Sequence, residues 1–178
     1  EDPRVTGTRR ARLAEVLGQG LHLFAYHLPL DVHPQLGNNA QLAARMGWRV
    51  DGHAGEQDLI AWHDLPRPAS AAQVARQLGK RFGREPLAVG ALDRSIRRLA
   101  WCTGAAQDML DQAIAAGADA FVSGEIAERT THLAREAGVV YFAAGHHATE
   151  RYGVQALGEH VAARLRIAHR FVDDDNPV

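Results

Sequence analysis

Tyr141-Phe-Ala-Ala-Gly-His-His-Ala-Thr-Glu150 is the stretch that decides how this chain folds. Its first four residues are apolar and predict a buried strand, which Gly145 ends. The segment that follows, 152–165, has apolar residues at the spacing of an amphipathic helix. A buried strand that leads directly into a helix is the repeating unit of α/β folds, so we expect a sheet covered by helices.

The same alternation runs through the preceding residues. Apolar runs at 99–103, 118–122 and 139–144 predict strands, and amphipathic segments at 107–116 and 126–137 predict helices between them. Strand–helix–strand units of this kind favour a largely parallel sheet.

The first half of the chain has weaker signals. Asn38 starts a predicted helix that Gly47 ends, and Ser70 caps a second predicted helix over 71–82. Apolar runs at 21–26, 48–50 and 86–89 predict strands, whereas 52–56 predicts a turn. The two prolines in 60–68 favour a connection with one short strand at most.

Glu150 is the most informative polar residue of the opening stretch. Continuing the apolar face of Val154, Leu157, Val161 and Leu165 back by one turn places Glu150 on the packed side, where an unpaired charge is costly. A divalent ion bound by Glu150 and His146 would remove that cost, because carboxylate and imidazole are ordinary metal ligands. Alternatively, His146 only follows the strand, and Glu150 only favours the positive end of the helix.

A second cluster follows the apolar run at 21–26. His27, Asp31 and His33 lie within seven residues of one another, in a loop that Pro29 and Pro34 stiffen. This spacing favours a site over three separate solvated side chains.

Polar residues also follow the predicted strands of the second half. They are Thr103-Gly104, Ser123-Gly-Glu125 and Gly145-His-His147. Ligands of open α/β sheets gather at the carboxyl ends of strands, so Glu125 is predicted to contact the substrate or to support a ligand. The alternative is that Glu125 only lies near the start of a helix.

Two of these stretches, together with shorter ones, resemble a known family. His27-Leu-Pro-Leu-Asp-Val-His-Pro-Gln-Leu-Gly-Asn-Asn-Ala-Gln-Leu-Ala43 and Gly145-His-His-Ala-Thr-Glu-Arg-Tyr-Gly-Val-Gln-Ala-Leu157 are similar to signatures of the Nif-three-like proteins. These proteins are also called GTP cyclohydrolase 1 type 2 homologs, and this chain resembles their short bacterial branch over its whole length.

The resemblance implies the fold and the assembly. It implies two related α/β domains with mostly parallel sheets flanked by helices, an interdomain cleft, and a toroidal homohexamer. The first domain would contain 1–30 and 139–178, and the second 31–138.

The resemblance also implies a dinuclear metal centre. Asp31, His146 and Glu150 match family ligands for two ions, which could be zinc, manganese, iron or magnesium. The family's other ligands, a His-His pair, lie upstream of Glu1, where this chain begins without an initiator methionine. We therefore expect this chain to bind at most about one divalent ion.

The implied function is that of a metal-dependent hydrolase. A metal-activated water would open the imidazole ring of a purine nucleotide by attack at C8, as the family name suggests, and the protein's partners would be this small molecule and further copies of the chain. The candidate proton carriers are His27, His33, His147 and His132. The alternative is a ring-forming metal-binding scaffold or adaptor protein without significant catalysis.

Composition excludes other classes. The 20 basic and 21 acidic side chains nearly cancel, which argues against nucleic acid or a membrane surface as the main partner. The single cysteine, Cys102, excludes an internal disulfide, suits a reducing cytoplasm, and lies in an apolar run that predicts a buried, inert thiol.

Overall fold

The computed structural model describes residues 4–174 and 176–178, and it confirms the α/β fold class. The parts of the predicted first domain at 1–3 and 175 lie outside the described residues. Helices flank a six-stranded sheet whose strands are β1 (Gly52–Ala54), β2 (Ile60–Ser70), β3 (Leu87–Val89), β4 (Ser95–Trp101), β5 (Ala120–Ser123) and β6 (Val140–Ala143). The helices are α1 (Gly7–Gly18), α2 (Leu28–Asp31), α3 (Asn38–Met46), α4 (Ala71–Phe82), α5 (Leu110–Ala115), α6 (Glu128–Ala137) and α7 (His146–Leu165).

The sheet has the order β1-β2-β4-β5-β6-β3. Its centre, β4-β5-β6, is parallel, as the strand–helix alternation predicts. The flanking strands β1, β2 and β3 pair antiparallel, so the parallel part is smaller than the sequence suggested.

Side chains of the central strands point alternately to the two faces of the sheet, and both faces are buried. In β6, Val140 and Phe142 join the core that contains Leu42 of α3 and Leu78 of α4. Tyr141 and Ala143 join the opposite core, which contains Leu110 of α5 and Ala134 of α6. Burial on both faces explains why these strands are continuously apolar in sequence.

The predicted helices 38–46 and 71–82 are confirmed as α3 and α4. Ser70 forms a capping box with Gln73, and Gly47 adopts a left-handed conformation at the end of α3. Strand β3 confirms the run at 86–89, and Cys102 is buried as predicted, which raises the pKa of its thiol to about 12.

Four predictions in the first half are wrong, two of strands, one of a turn and one of a connection. Residues 21–26 form no strand, and their side chains are exposed, because a strand needs a ladder partner and the described residues supply none. Residues 48–50 also form no strand, and β1 lies instead at 52–54, where a turn was expected. The segment with two prolines is the long strand β2, in which the prolines fall where the pairing with β4 shifts register between Asp64 and Ala69.

The predicted division into domains places 139–178 apart from 31–138. Strand β6 of the first range pairs with β5 and β3 of the second, so the sheet crosses that boundary. The two-domain arrangement itself stays a prediction.

The apolar stripe of α7 is only partly packed. Its buried residues are Ala148, Thr149, Tyr152 and Gly153, whereas Val154 is 52% exposed and Leu165 is 62% exposed. Much of the stripe lines a cavity and does not pack against another element. Glu150 therefore borders a cavity and not the packed core that the sequence had suggested. Among the described residues, no helix is both long and apolar enough to cross a membrane.

Candidate functional site

The carboxyl ends of β4, β5 and β6 are joined by backbone hydrogen bonds. The amide of Gly124 donates to the carbonyl oxygen of Gly104 (2.8 Å), and the amide of Gly145 donates to that of Gly124 (2.9 Å). The hydroxyl of the buried Ser123 also donates to the Gly104 carbonyl (3.0 Å). These bonds fix the three loops that carry the polar residues of the second half of the chain.

Glycine is required where these loops approach one another. A Cβ on Gly124 would lie 2.6 Å from the Gly104 carbonyl oxygen. Gly104 has φ +69°, and a Cβ there would lie only 2.1 Å from Oε1 of Glu150. The Glu150 carboxylate therefore rests directly against the backbone at the end of β4.

His146 lies between two carboxylates. Its Nε2 is 3.0 Å from Oε2 of Glu150, one turn further along α7, and its Nδ1 is 2.6 Å from Oε1 of Glu125, after β5. Burial alone would lower the pKa of His146, but the hydrogen bond to Glu125 and the charges of both carboxylates outweigh burial and raise it. Helix α7 begins at His146, before the amphipathic segment 152–165 that the sequence indicated, and it keeps His146 and Glu150 on one face.

Asp31 is held close to this helix by Asn38. The buried Asn38 side chain donates from Nδ2 to Oδ1 of Asp31 (2.7 Å) and accepts the amide of Gly153 of α7 through its own Oδ1 (2.7 Å). A Cβ on Gly153 would lie 2.5 Å from this Asn38 oxygen, so only glycine fits there. The sequence analysis treated Asn38 only as the start of α3; the glycine within helix α7 was the available signal for this contact.

Asp31 and Glu150 share one cavity of about 820 Å³. Burial raises the pKa of Glu150, and the negative charge of Asp31 raises it further, against the opposing effect of His146. The other walls are the apolar stripe of α7, residues of the segment before α2, including Phe24, Tyr26 and His27, and His33, which follows α2.

The four candidate proton carriers lie in different places. His27 is exposed on the wall of this cavity, whereas Nδ1 of His33 accepts the backbone amides of Gln35 and Leu36. His147 pairs with Asp173, and His132 is exposed on α6. The structure therefore brings His27 to the same cavity as Asp31 and Glu150, whereas His132 is not among the described residues that line it.

The donor types around Glu150 fit a divalent ion. Burial and the nearby charge of Asp31 raise the pKa of Glu150, and a cation bound beside Glu150 and the imidazole of His146 would offset that effect. Both ring nitrogens of His146 are engaged by carboxylates, however, and no three or more His, Cys, Asp or Glu side chains in 4–174 and 176–178 are arranged to hold a metal. The ligand set Asp31, His146 and Glu150 stays a prediction.

Comparison with known proteins settles the family. The family model described as Duf34/NIF3 (NGG1p interacting factor 3) matches residues 2–177. The chain belongs to the Duf34/NIF3 family. Relatives called GTP cyclohydrolase 1 type 2 homolog occur in Pseudomonas aeruginosa, with 49% identity over 99% of this chain and 71% of theirs, and in Vibrio cholerae, with 45% identity over 100% of this chain and 72% of theirs.

Solved structures agree with this family assignment. The protein ybgI, described as having unknown function, superposes with a TM-score of 0.92 and 42% identity over 100% of this chain and 72% of its own. A protein of Thermus thermophilus superposes with a TM-score of 0.87 and 32% identity over 100% of this chain and 71% of its own.

Proposed function

We propose that this Duf34/NIF3 protein is a divalent-metal-dependent hydrolase that acts on a nucleotide, with Asp31, His146 and Glu150 as metal ligands. The observation that carries the proposal is the partly buried carboxylate of Glu150, which lies beside a second carboxylate, Asp31, and contacts His146. The name of the relatives supports GTP as the first nucleotide to test.

A bound divalent ion would lower the pKa of a water molecule toward neutrality and so supply the nucleophile. The protein's own residues prepare the site. Glu125 fixes the ring of His146 through Nδ1, and Asn38 fixes the carboxylate of Asp31. His27, on the cavity wall, would carry a proton to or from the substrate, because an imidazole ring can both accept and donate a proton.

The cavity offers a suitable place for a nucleotide. Its walls combine the rings of Phe24 and Tyr26 and the apolar stripe of α7 with the carboxylates of Asp31 and Glu150. A planar base packs against aromatic and apolar side chains, while the reacting atoms face the carboxylates.

Metal-dependent turnover of GTP tests the proposal. Purified protein is incubated with GTP and Mn²⁺, Zn²⁺ or Mg²⁺, and mass spectrometry follows the ring-opened product. We expect turnover that a chelator abolishes and that Asp31→Asn or Glu150→Gln lowers by at least about a hundredfold. Glu159→Gln, an exposed carboxylate of the same helix, is the matched control and should retain turnover. Absence of turnover with all three metals, or full turnover by Glu150→Gln, would reject the hydrolase.

A ring-forming, metal-binding scaffold or adaptor is the second candidate, favoured by a different observation. The segment before α2 exposes apolar side chains, including Leu23 (81%) and Phe24 (75%). Exposed apolar clusters of this kind are commonly covered in assemblies. If GTP is not turned over and light scattering gives a mass several times 19.4 kDa, the scaffold replaces the hydrolase; a monomer at micromolar concentration would contradict the ring.

A further inference from the structure

The residues after α7 turn back toward the start of that helix. Arg166 has a left-handed conformation (φ 56°), and 167–174 with 176–178, here called the C-terminal tail, contain no helix or strand. The tail runs past the first two turns of α7 and the loop after α4, where Arg84 lies.

Four polar contacts hold the C-terminal tail in this position. The carboxylate of Asp173 accepts from Nη1 of Arg151 (2.7 Å) and lies 3.1 Å from Nε2 of His147. The carbonyl oxygen of Pro177 accepts from Nη1 of Arg84 (2.7 Å), and that of Val178 accepts the backbone amide of His147 (3.1 Å).

In these four contacts the acceptors belong to the tail. The donors belong to Arg84, His147 and Arg151, which are here called the basic cradle. The Arg84 guanidinium lies against the backbone at the start of α7, since a Cβ on Gly145 would be 2.7 Å from its Nη1. Nε of Arg151 is buried and has no hydrogen-bond partner within the described part of the chain. Two guanidinium groups, an imidazole and an amide of the first helical turn together form a strong oxyanion-binding arrangement.

The basic cradle borders the candidate functional site. His147 follows His146 directly, and Glu125, His146 and Glu150 line a cavity of about 570 Å³ together with residues of the tail. The tail therefore borders the same cavity as His146 and Glu150.

We infer that the basic cradle binds the phosphate groups of a phosphorylated ligand and that the C-terminal tail is an internal competitor for it. The tail satisfies the cradle with one side-chain carboxylate, that of Asp173, and with the main-chain oxygens of Pro177 and Val178. A ligand with several charged oxyanions provides charge-assisted hydrogen bonds to the same donors and displaces the tail. The identification of this ligand as the nucleotide substrate rests on the proposed function. The phosphates of the nucleotide would then bind to the basic cradle.

Binding of inorganic triphosphate tests the inference without any hydrolysis. Calorimetry is done with chelator present, so that no divalent ion contributes. Asp173→Asn, which weakens the tail's hold, should bind triphosphate about tenfold more tightly than the unaltered protein. Arg151→Gln should bind it about tenfold more weakly, and Arg84→Gln provides a second cradle variant if the first fails to fold.

Asp174→Asn is the matched control for the tail. It removes the same charge one residue away, and Asp174 makes no hydrogen bond or ion pair to the other described residues. Its affinity for triphosphate should change much less than that of Asp173→Asn.

Limited digestion with trypsin gives an independent readout of tail displacement. Arg170 is exposed in the tail, and saturating triphosphate should accelerate cleavage after it in the unaltered protein. Triphosphate binding without GTP turnover would support the cradle while rejecting the hydrolase. Failure of both the unaltered protein and Asp173→Asn to bind triphosphate, or equal affinities of Asp173→Asn and Arg151→Gln, would overturn the inference.

Discussion

Replacement of Gly104 by alanine tests whether the end of β4 positions Glu150. The added Cβ would lie 2.1 Å from Oε1 and 2.6 Å from Cδ of Glu150. The carboxylate must move by about 1 Å to restore even a tight contact, because carbon and oxygen atoms repel steeply at shorter separations. That movement breaks the 3.0 Å contact between Glu150 and His146.

Two costs contribute to the expected loss of stability. An alanine in the left-handed conformation at φ +69° costs about 1–2 kcal/mol. Loss of the Glu150–His146 hydrogen bond adds about 0.5–1.5 kcal/mol. The free energy of unfolding should therefore fall by about 1.5–3.5 kcal/mol.

Gly47→Ala separates the two costs. Gly47 ends α3 with φ +70°, and a Cβ there would have nothing within 4 Å, so this variant carries only the backbone strain. Urea unfolding followed by tryptophan fluorescence should place Gly47→Ala between the unaltered protein and Gly104→Ala. Calorimetric titration with Mn²⁺ should show a loss of affinity only for Gly104→Ala. Equal unfolding free energies and equal Mn²⁺ affinities of the two variants would refute the positioning of Glu150 by Gly104.

Two further predictions concern groups outside the site. Acceptance of a hydrogen bond from His63 lowers the pKa of Asp51 from 3.8 to about 2, so this carboxylate stabilises the fold above about pH 4 and loses its contribution as the pH falls toward 2. Asp51→Asn should therefore flatten the decline of stability between these pH values, measured as urea midpoints, and a curve parallel to that of the exposed control Asp93→Asn would contradict this. Ser70→Ala removes the acceptor for the Gln73 amide (3.2 Å) and should lower the free energy of unfolding by about 1 kcal/mol. Ser70→Asn keeps an acceptor and should lower it much less. Equal urea midpoints for these two variants would contradict the role of the cap.

The sequence predicted elements whose signals are local. Helices α3 and α4 have their start and stop residues within the segment itself, at Gly47 and at Ser70. The central strands are buried on both faces, so their apolar runs are unambiguous.

Pairing between distant segments was not predictable in the same way. Strand β2 contains two prolines that lower its strand propensity, yet pairing with β1 and β4 extends it over 11 residues. Residues 21–26 have high strand propensity and form no strand, because no neighbouring strand pairs with them within the described residues. Partners at long sequence distance therefore override propensity in both directions.

The candidate site shows the same division between local and distant information. The i,i+4 spacing of His146 and Glu150 indicates one helical face, and the structure shows that the two side chains also contact each other there. The contacts that orient the site residues come from elsewhere. Glu125 reaches His146 across 21 residues, and Asn38, which donates to Asp31, accepts the amide of Gly153 across 115 residues.

These distant contacts depend on glycines whose importance is visible only in three dimensions. Gly104 lies against Glu150, Gly153 against Asn38, and Gly145 against Arg84. At each of these glycines a side chain of the proposed sites packs directly on the backbone. A Cβ there would force that side chain to move. A search of the sequence for chemically active residues finds Asp31 and Glu150 but passes over these glycines. The substitutions that best test the proposed site are therefore those that add a single methyl group beside its side chains and leave those side chains themselves unchanged.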